Sequence, residues 1–218
     1  MNLVATLRAM AAGTFAILGF AACSSVVVPT EQFYRLDLPP VAEPAADCGG
    51  VLRVQDLQLN TALASDHLQR LCGNRIEPAP LARWVAPLDR LVTDALVLGL
   101  SRARVCELVK GAVDPGDETW SLRGRIVDFV EVGAGETRRA RVTLELWLER
   151  EQRVLFRDEF AVEEAIVAGG DDGAVAALSI GLARVTGAVV QRMRGLDLFA
   201  QARRERGPTG PAAAGPSR

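Results

Sequence analysis

The stretch WSLRGRIVDFVEVGAGETRRARVTLELWLEREQRVLFRDEFAV, residues 120–162, decides the fold. Trp120, Leu122, Ile126, Val130 and Val132 fall on even positions, with Arg123, Arg125 and Glu131 on odd ones. Val142, Leu144, Leu146 and Leu148 alternate against Thr143, Glu145, Trp147 and Glu149, and Val154, Phe156, Phe160 and Val162 repeat the pattern. Successive side chains on a strand point to opposite faces, so a period of two predicts three strands with one buried face each. Gly133-Ala134-Gly135 lies between the first two and reads as a hairpin turn, since no helix follows to make it a dinucleotide loop. Short connections make the three strands an antiparallel meander.

C-terminal to this meander the period changes. A helix is expected from about Asp172 to Arg194, capped by Asp171 or Asp172, with Ala174, Leu178, Gly181, Leu182, Val185 and Val189 facing the sheet. Arg184 and the short apolar length argue against its spanning a membrane. Residues 199–218 are rich in Pro, Gly, Ala and Arg, a composition that favours disorder. On the N-terminal side, Val105 to Val109 reads as a short strand. Before it, Trp84, Leu88, Leu91, Val92, Ala95 and Leu96 recur at steps of three and four, which predicts a helix with one apolar stripe. Pro87 fixes that helix's start, because proline is tolerated only in the first turn, and Gly99 marks its end. His67 to Ile76 suggests a hairpin about Cys72-Gly73-Asn74, and Val51 to Leu59 a first strand. The expected architecture is α+β: a mixed sheet of about six strands, a βαβ-like N-terminal half, an antiparallel C-terminal meander and two packed helices.

The first thirty residues carry a different message. Arg8 precedes Ala9–Ala22, a run without charge that is shorter than the roughly 20 apolar residues a membrane span needs. A basic start, a short apolar core and small residues at its end make an export signal, residues 1–22. The run ends Leu18-Gly19-Phe20-Ala21-Ala22-Cys23, similar to a bacterial lipobox, with Phe20 where leucine is usual. On that reading Cys23 becomes the lipid-bearing N-terminus; on the other, an ordinary cut after Ala-x-Ala leaves it a free thiol. Residues 23–47, with Pro29, Pro39, Pro40 and Pro44, read as a tether in which Phe33-Tyr34-Arg35-Leu36 forms an aromatic spot able to dock on the domain, residues 48–198.

Chemistry-bearing patterns are absent. Charge is nearly balanced, 25 basic against 27 acidic residues, with no basic stripe interleaved with aromatics, so a nucleic-acid partner is not expected. The single histidine, His67, reads as a surface residue, and neither His-Glu-x-x-His nor Cys-x-x-Cys occurs, so no metal is expected. Glu163-Glu164 point to opposite faces of a strand and cannot act together. No enzyme activity and no cofactor are expected. Cys48, Cys72 and Cys106 can supply one disulfide in an oxidising compartment, with the pair left open.

Several short stretches in a fixed order resemble the ABC-type transport auxiliary lipoproteins, the family that includes paraquat-inducible protein C. They are Phe33-Tyr34-Arg35-Leu36, the strand at Val51–Leu59, Arg83-Trp84-Val85-Ala86-Pro87-Leu88-Asp89 opening a helix, and the alternating strands from Trp120. The resemblance implies a non-enzymatic lipoprotein held by Cys23 on the periplasmic face of the outer membrane. Its implied partners are an MCE-domain tunnel protein and the ABC permease and ATPase behind it, in intermembrane lipid transport. A lipid-carrying module and a pilotin-like chaperone for an outer-membrane protein are the alternatives. Phe33, Tyr34, Trp84 and Pro87 are the candidate partner contacts; Trp84, at the head of the apolar stripe, reads first as core and second as an exposed contact, and the Phe33-Tyr34 segment carries the same two readings.

Overall fold

In chain order the strands are β1 (Gln32–Tyr34), β2 (Val51–Val54), β3 (Gln58–Leu59), β4 (His67–Cys72) and β5 (Arg75–Trp84). Helix α1 (Leu88–Arg102) leads to β6 (Leu108–Lys110), and β7 (Trp120–Val132), β8 (Arg139–Arg150), β9 (Arg153–Ala165) and α2 (Gly170–Arg194) follow. The structure is a computed structural model that describes residues 29–40, 49–167 and 169–196, with the side chain of Glu136 aside. The signal segment 1–22, Cys23, Cys48 and the tail 199–218 lie outside the described residues. Glu31 onward forms one compact unit. The α+β class is as expected, but among the described residues the sheet has nine strands rather than about six.

The meander is built as its alternation predicts: β8 lies antiparallel between β7 and β9 along their lengths. Gly133, at φ +84°, turns the chain between β7 and β8. A bulge between Ile126 and Asp128 interrupts the even-odd rule, so Phe129 as well as Val130 is buried. The other edge of β7 is shared by three short parallel strands laid end to end, β2, β3 and β4. β6 lies parallel to β2, β5 antiparallel to β4, and β1 parallel to β5. The parallel neighbours β2 and β6, joined through α1, give the N-terminal half its βαβ-like character.

Five local expectations change. The strand expected over Val51–Leu59 is two pieces, because Leu57 turns into the core and its N–H donates to Thr93 Oγ1 of α1 at 3.2 Å. The hairpin turns at Gly73 as expected, yet β5 runs ten residues, so Trp84 ends a strand and does not join the helix stripe. Pro87 is the reason: it disfavours helical backbone in the residue before it, and α1 begins at Leu88. The helix then passes Gly99, which serves packing instead of termination, since a Cβ there would come within 2.9 Å of a methyl of Thr186 on α2. β6 starts at Leu108 and not at Val105, whose N–H closes the end of α1 on Leu100 O. Finally, Gly169 occupies the N-cap of α2 without a side-chain bond, and Asp171 and Asp172 sit in its first turn.

Both helices pack on one face of the sheet, α1 mainly on β2, β3 and β6, and α2 on β8 and β9. Leu122, Ile126, Leu144 and Leu146 from the sheet meet Leu96, Leu178, Leu182 and Val185 in a single core. Each such leucine contributes about 1.5–3 kcal/mol on burial. α2 is long and apolar enough to cross a membrane, but its apolar side is buried in this core. The opposite face of the sheet is a lattice of cross-strand ion pairs, Arg125 and Arg157 on Glu145, Arg123 on Glu149, Arg141 on Glu163. Glu164, one residue on, points the other way and meets Arg184 of α2 at 2.7 Å.

Candidate docking surface

Parallel register sets Phe33 beside Arg83 and Tyr34 beside Trp84. Neighbours on a strand face opposite ways, so the two aromatics of β1 part company. Phe33 is 62% exposed on the outer face, with the Arg83 guanidinium 5.9 Å from its ring centroid. Leu81, 39% exposed on β5, and Val85, 54% exposed one residue past its end and still bonded to Tyr34 O, share that face with Arg83 by alternation. Arg83 also pairs with Glu31 at 3.1 Å and with Asp66. Its hydrogen bond holds the Asp66 carboxyl below the usual carboxylate range. Asp66 in turn sits 2.8 Å from Nδ1 of His67, a half-buried residue beside a carboxylate that its reading as a lone surface histidine missed.

Trp84 is core: it is 4% exposed and stands edge-on to Phe129, ring centroids 6.0 Å apart. What remains of its surface floors a cleft of about 410 Å³ with Leu59, Ala64, Asp66, Pro87 and Leu88. Pro87 is exposed on the rim, where its φ of −51° starts α1. Asp66 belongs to this cleft and to the Arg83 pair, so cleft and outer patch are continuous. Phe33, Trp84 and Pro87 therefore gather about one corner of the molecule.

Tyr34 does not join them. It lines a groove of about 670 Å³ between residues 35–40 and the first turns of α2. Its hydroxyl donates to Gln32 Oε1 at 2.5 Å, and burial, with Asp172 and Asp171 nearby, pushes its pKa up to about 12. The segment after it is strapped to both helices. Asp37 N–H donates to Ser179 Oγ at 3.3 Å, Arg102 donates to Leu38 O at 3.1 Å, and Leu38 is buried against Gly99.

Beyond this corner two clusters hold the fold. Arg53 and Lys110, both buried, donate to backbone carbonyls of the loop 111–117, Lys110 to Pro115, Gly116 and Asp117 and Arg53 to Gly111, Ala112, Asp114 and Gly116. Buried Glu131 takes Arg70 at 3.2 Å and Arg138, and Arg70 reaches Asp171 at the start of α2. Burial pushes the Glu131 carboxyl up, but the hydrogen bonds and charges of Arg138 and Arg70 outweigh it and leave the group below its ordinary value. Cys106 is disulfide-bonded, and Cys72 is free and exposed. Among the described residues no group of three or more His, Cys, Asp or Glu could hold a metal. Leu81, Arg83 and Val85 escaped the sequence reading, although their alternation with Ala82 and Trp84 was available as a signal.

Residues 34–190 match the family described as ABC-type transport auxiliary lipoprotein component. No curated protein matches the chain. Among solved structures, a Xanthomonas campestris protein of the family DUF330 is 18% identical with a TM-score of 0.67, covering 79% of this chain and 99% of its own. A second, an uncharacterised protein, is also 18% identical with a TM-score of 0.63, covering 75% and 99%. Both share the fold. With most of the chain, from Tyr34 on β1 to Val190 on α2, inside the matched region, this protein belongs to the ABC-type transport auxiliary lipoprotein family.

Proposed function

We propose that this chain is a non-enzymatic docking adaptor of an intermembrane lipid transport system, anchored by lipid on Cys23 to the periplasmic face of the outer membrane. Its partner is an MCE-domain tunnel protein served by an ABC permease and ATPase. The observation that carries this reading is the apolar cleft floored by Trp84 and rimmed by exposed Pro87, on a chain of a transport-auxiliary family. A shallow apolar cleft on a rigid corner suits the capture of one or two apolar side chains from a protein partner. Around it lie Asp66 and Ser65, which would serve as the polar rim. The export signal and the lipobox-like Leu18–Cys23 support the location.

The test is affinity purification of the tagged full-length protein from lightly crosslinked, detergent-solubilised membranes, with identification of what co-purifies. Recovery of an MCE-domain protein, with crosslinks falling at the Pro87 rim and lost in Pro87→Glu, is the expected result. Recovery of an outer-membrane secretin, or of no partner from a clean outer-membrane fraction, would overturn the adaptor reading.

A further inference from the structure

We infer that the outer patch of Phe33, Leu81 and Val85 rests on the phospholipid bilayer that holds the chain's own lipid anchor. The inference relies on the acylation of Cys23 proposed above and adds a contact to it. Its basis is the short length of chain between the anchor and the folded body. β1 begins at Gln32, so eight residues lie between it and Cys23, a path of nine Cα-to-Cα steps. Fully extended, they reach about 30 Å, and as a relaxed coil closer to 17 Å. A folded body of this size has a radius of gyration of about 15 Å and is therefore roughly 40 Å across. The linker is shorter than the domain it carries, and it enters at one edge of the sheet.

Three of the exposed large apolar side chains, Phe33, Leu81 and Val85, cluster at that edge. Phe33 sits one residue inside the point of entry, with Leu81 on the adjacent strand and Val85 one residue past its end, facing the same way. β9, at the opposite edge of the order β1-β5-β4-β7-β8-β9, is about 24 Å away at ordinary strand spacing. Three of its outward residues, Arg157, Glu159 and Glu163, are charged, with Ala161 among them and Val154 at its start. Arg83 at the centre of the patch fits a headgroup layer, its stem lying along apolar surface and its guanidinium among phosphates. Its present partners Glu31 and Asp66 are exposed and free to stay in water beside the headgroups. Three side chains would hold a free protein only weakly. An anchored one meets the bilayer at a high effective concentration, so a weak contact suffices to orient it.

The test uses the full-length chain in a Cys72→Ser background, purified from membranes and reconstituted in vesicles of phosphatidylethanolamine and phosphatidylglycerol. A spin label is placed at Phe33→Cys, Val85→Cys, Val113→Cys or Val154→Cys, all exposed positions where substitution leaves the fold intact. Collision with oxygen and with a nickel chelate reports immersion, and the intact mass of the same sample reports acylation. The expected result is several-fold loss of chelate contact on reconstitution at 33 and 85, with 113 and 154 still aqueous. Acylated protein whose labels at 33 and 85 stay as aqueous as that at 154 overturns the patch alone. Equal protection at all four positions overturns it too, and an unacylated mass overturns the anchor and the patch together. A photo-crosslinker at position 33 that captures protein rather than lipid in cells would also overturn it.

Discussion

Gly124 stands in the middle of β7, where a glycine costs strand stability unless something demands it. The demand is close packing: a Cβ would come within 2.4 Å of the Glu145 carbonyl oxygen on β8. A backbone atom in a central strand cannot step aside, so Gly124→Ala should destabilise by about 1–3 kcal/mol, seen as a lower urea midpoint. Trp84 and Phe33 differ as core and surface do. Trp84→Ala should cost about 3–5 kcal/mol in the same measurement, and Phe33→Ala less than about 0.5. The thiols divide likewise. A maleimide should label Cys72 in native protein without reductant, and reach Cys106 only after reduction and unfolding. Trp84's pattern fits helix and strand alike, since Trp84 and Leu88 are four apart and Ala82 and Trp84 two apart. Only Pro87, read for its effect on the residue before it, separates the two.

At the scale of elements, the Glu131 clasp ties the start of α2 to β4, β7 and the turn into β8. Because the native carboxyl titrates below its ordinary value near 4.5, the clasp contributes fully above that value and is lost as pH falls through the lower, native one. Wild type should therefore exceed Glu131→Gln by about 1–3 kcal/mol at neutral pH. The gap should close as pH drops below about 4.5, measured by urea unfolding across pH. None of this network was legible beforehand. Alternation placed Glu131 on the solvated side, and the bulge at Ile126–Asp128 reversed that assignment by shifting every later residue of β7. β8 and β9 were legible because their alternation runs over ten residues or more, save at the register shift after Leu148, which leaves Val154 exposed where alternation had placed it inside. β1 was not, since three residues carry no period; its pairing with β5 rests on backbone hydrogen bonds, which any side chains allow.

At the scale of the whole molecule, β7 organises the fold, with β8 along one edge and β2, β3 and β4 along the other. Amides of β7 and β8 should be the slowest to exchange with deuterium and should report global unfolding. Those of β1, which β5 alone flanks, should exchange by local opening at lower free energy, measured by hydrogen exchange with mass spectrometry. If β1 instead exchanged with the core, the strap of residues 35–38 would be part of the cooperative unit. Either way its docking shortens the reach of the chain from Cys23, and that limits where the Trp84 cleft can meet a partner.

By itself the sequence determined which side of β8 and of each helix is wet and which is dry, and of β7 and β9 away from their register shifts, where α1 starts, and that residues before Cys23 read as an export signal. It could do so because solvation acts residue by residue and repeats with the period of the element. Tertiary structure decided the rest: the division of one β7 edge among three short strands, the burial of Trp84, the separation of Phe33 from Tyr34, and the network about Glu131. Those depend on which backbone edges find each other and on close approaches at Gly99 and Gly124. Hydrogen bonds between peptide groups and contacts between distant side chains leave no period along the chain.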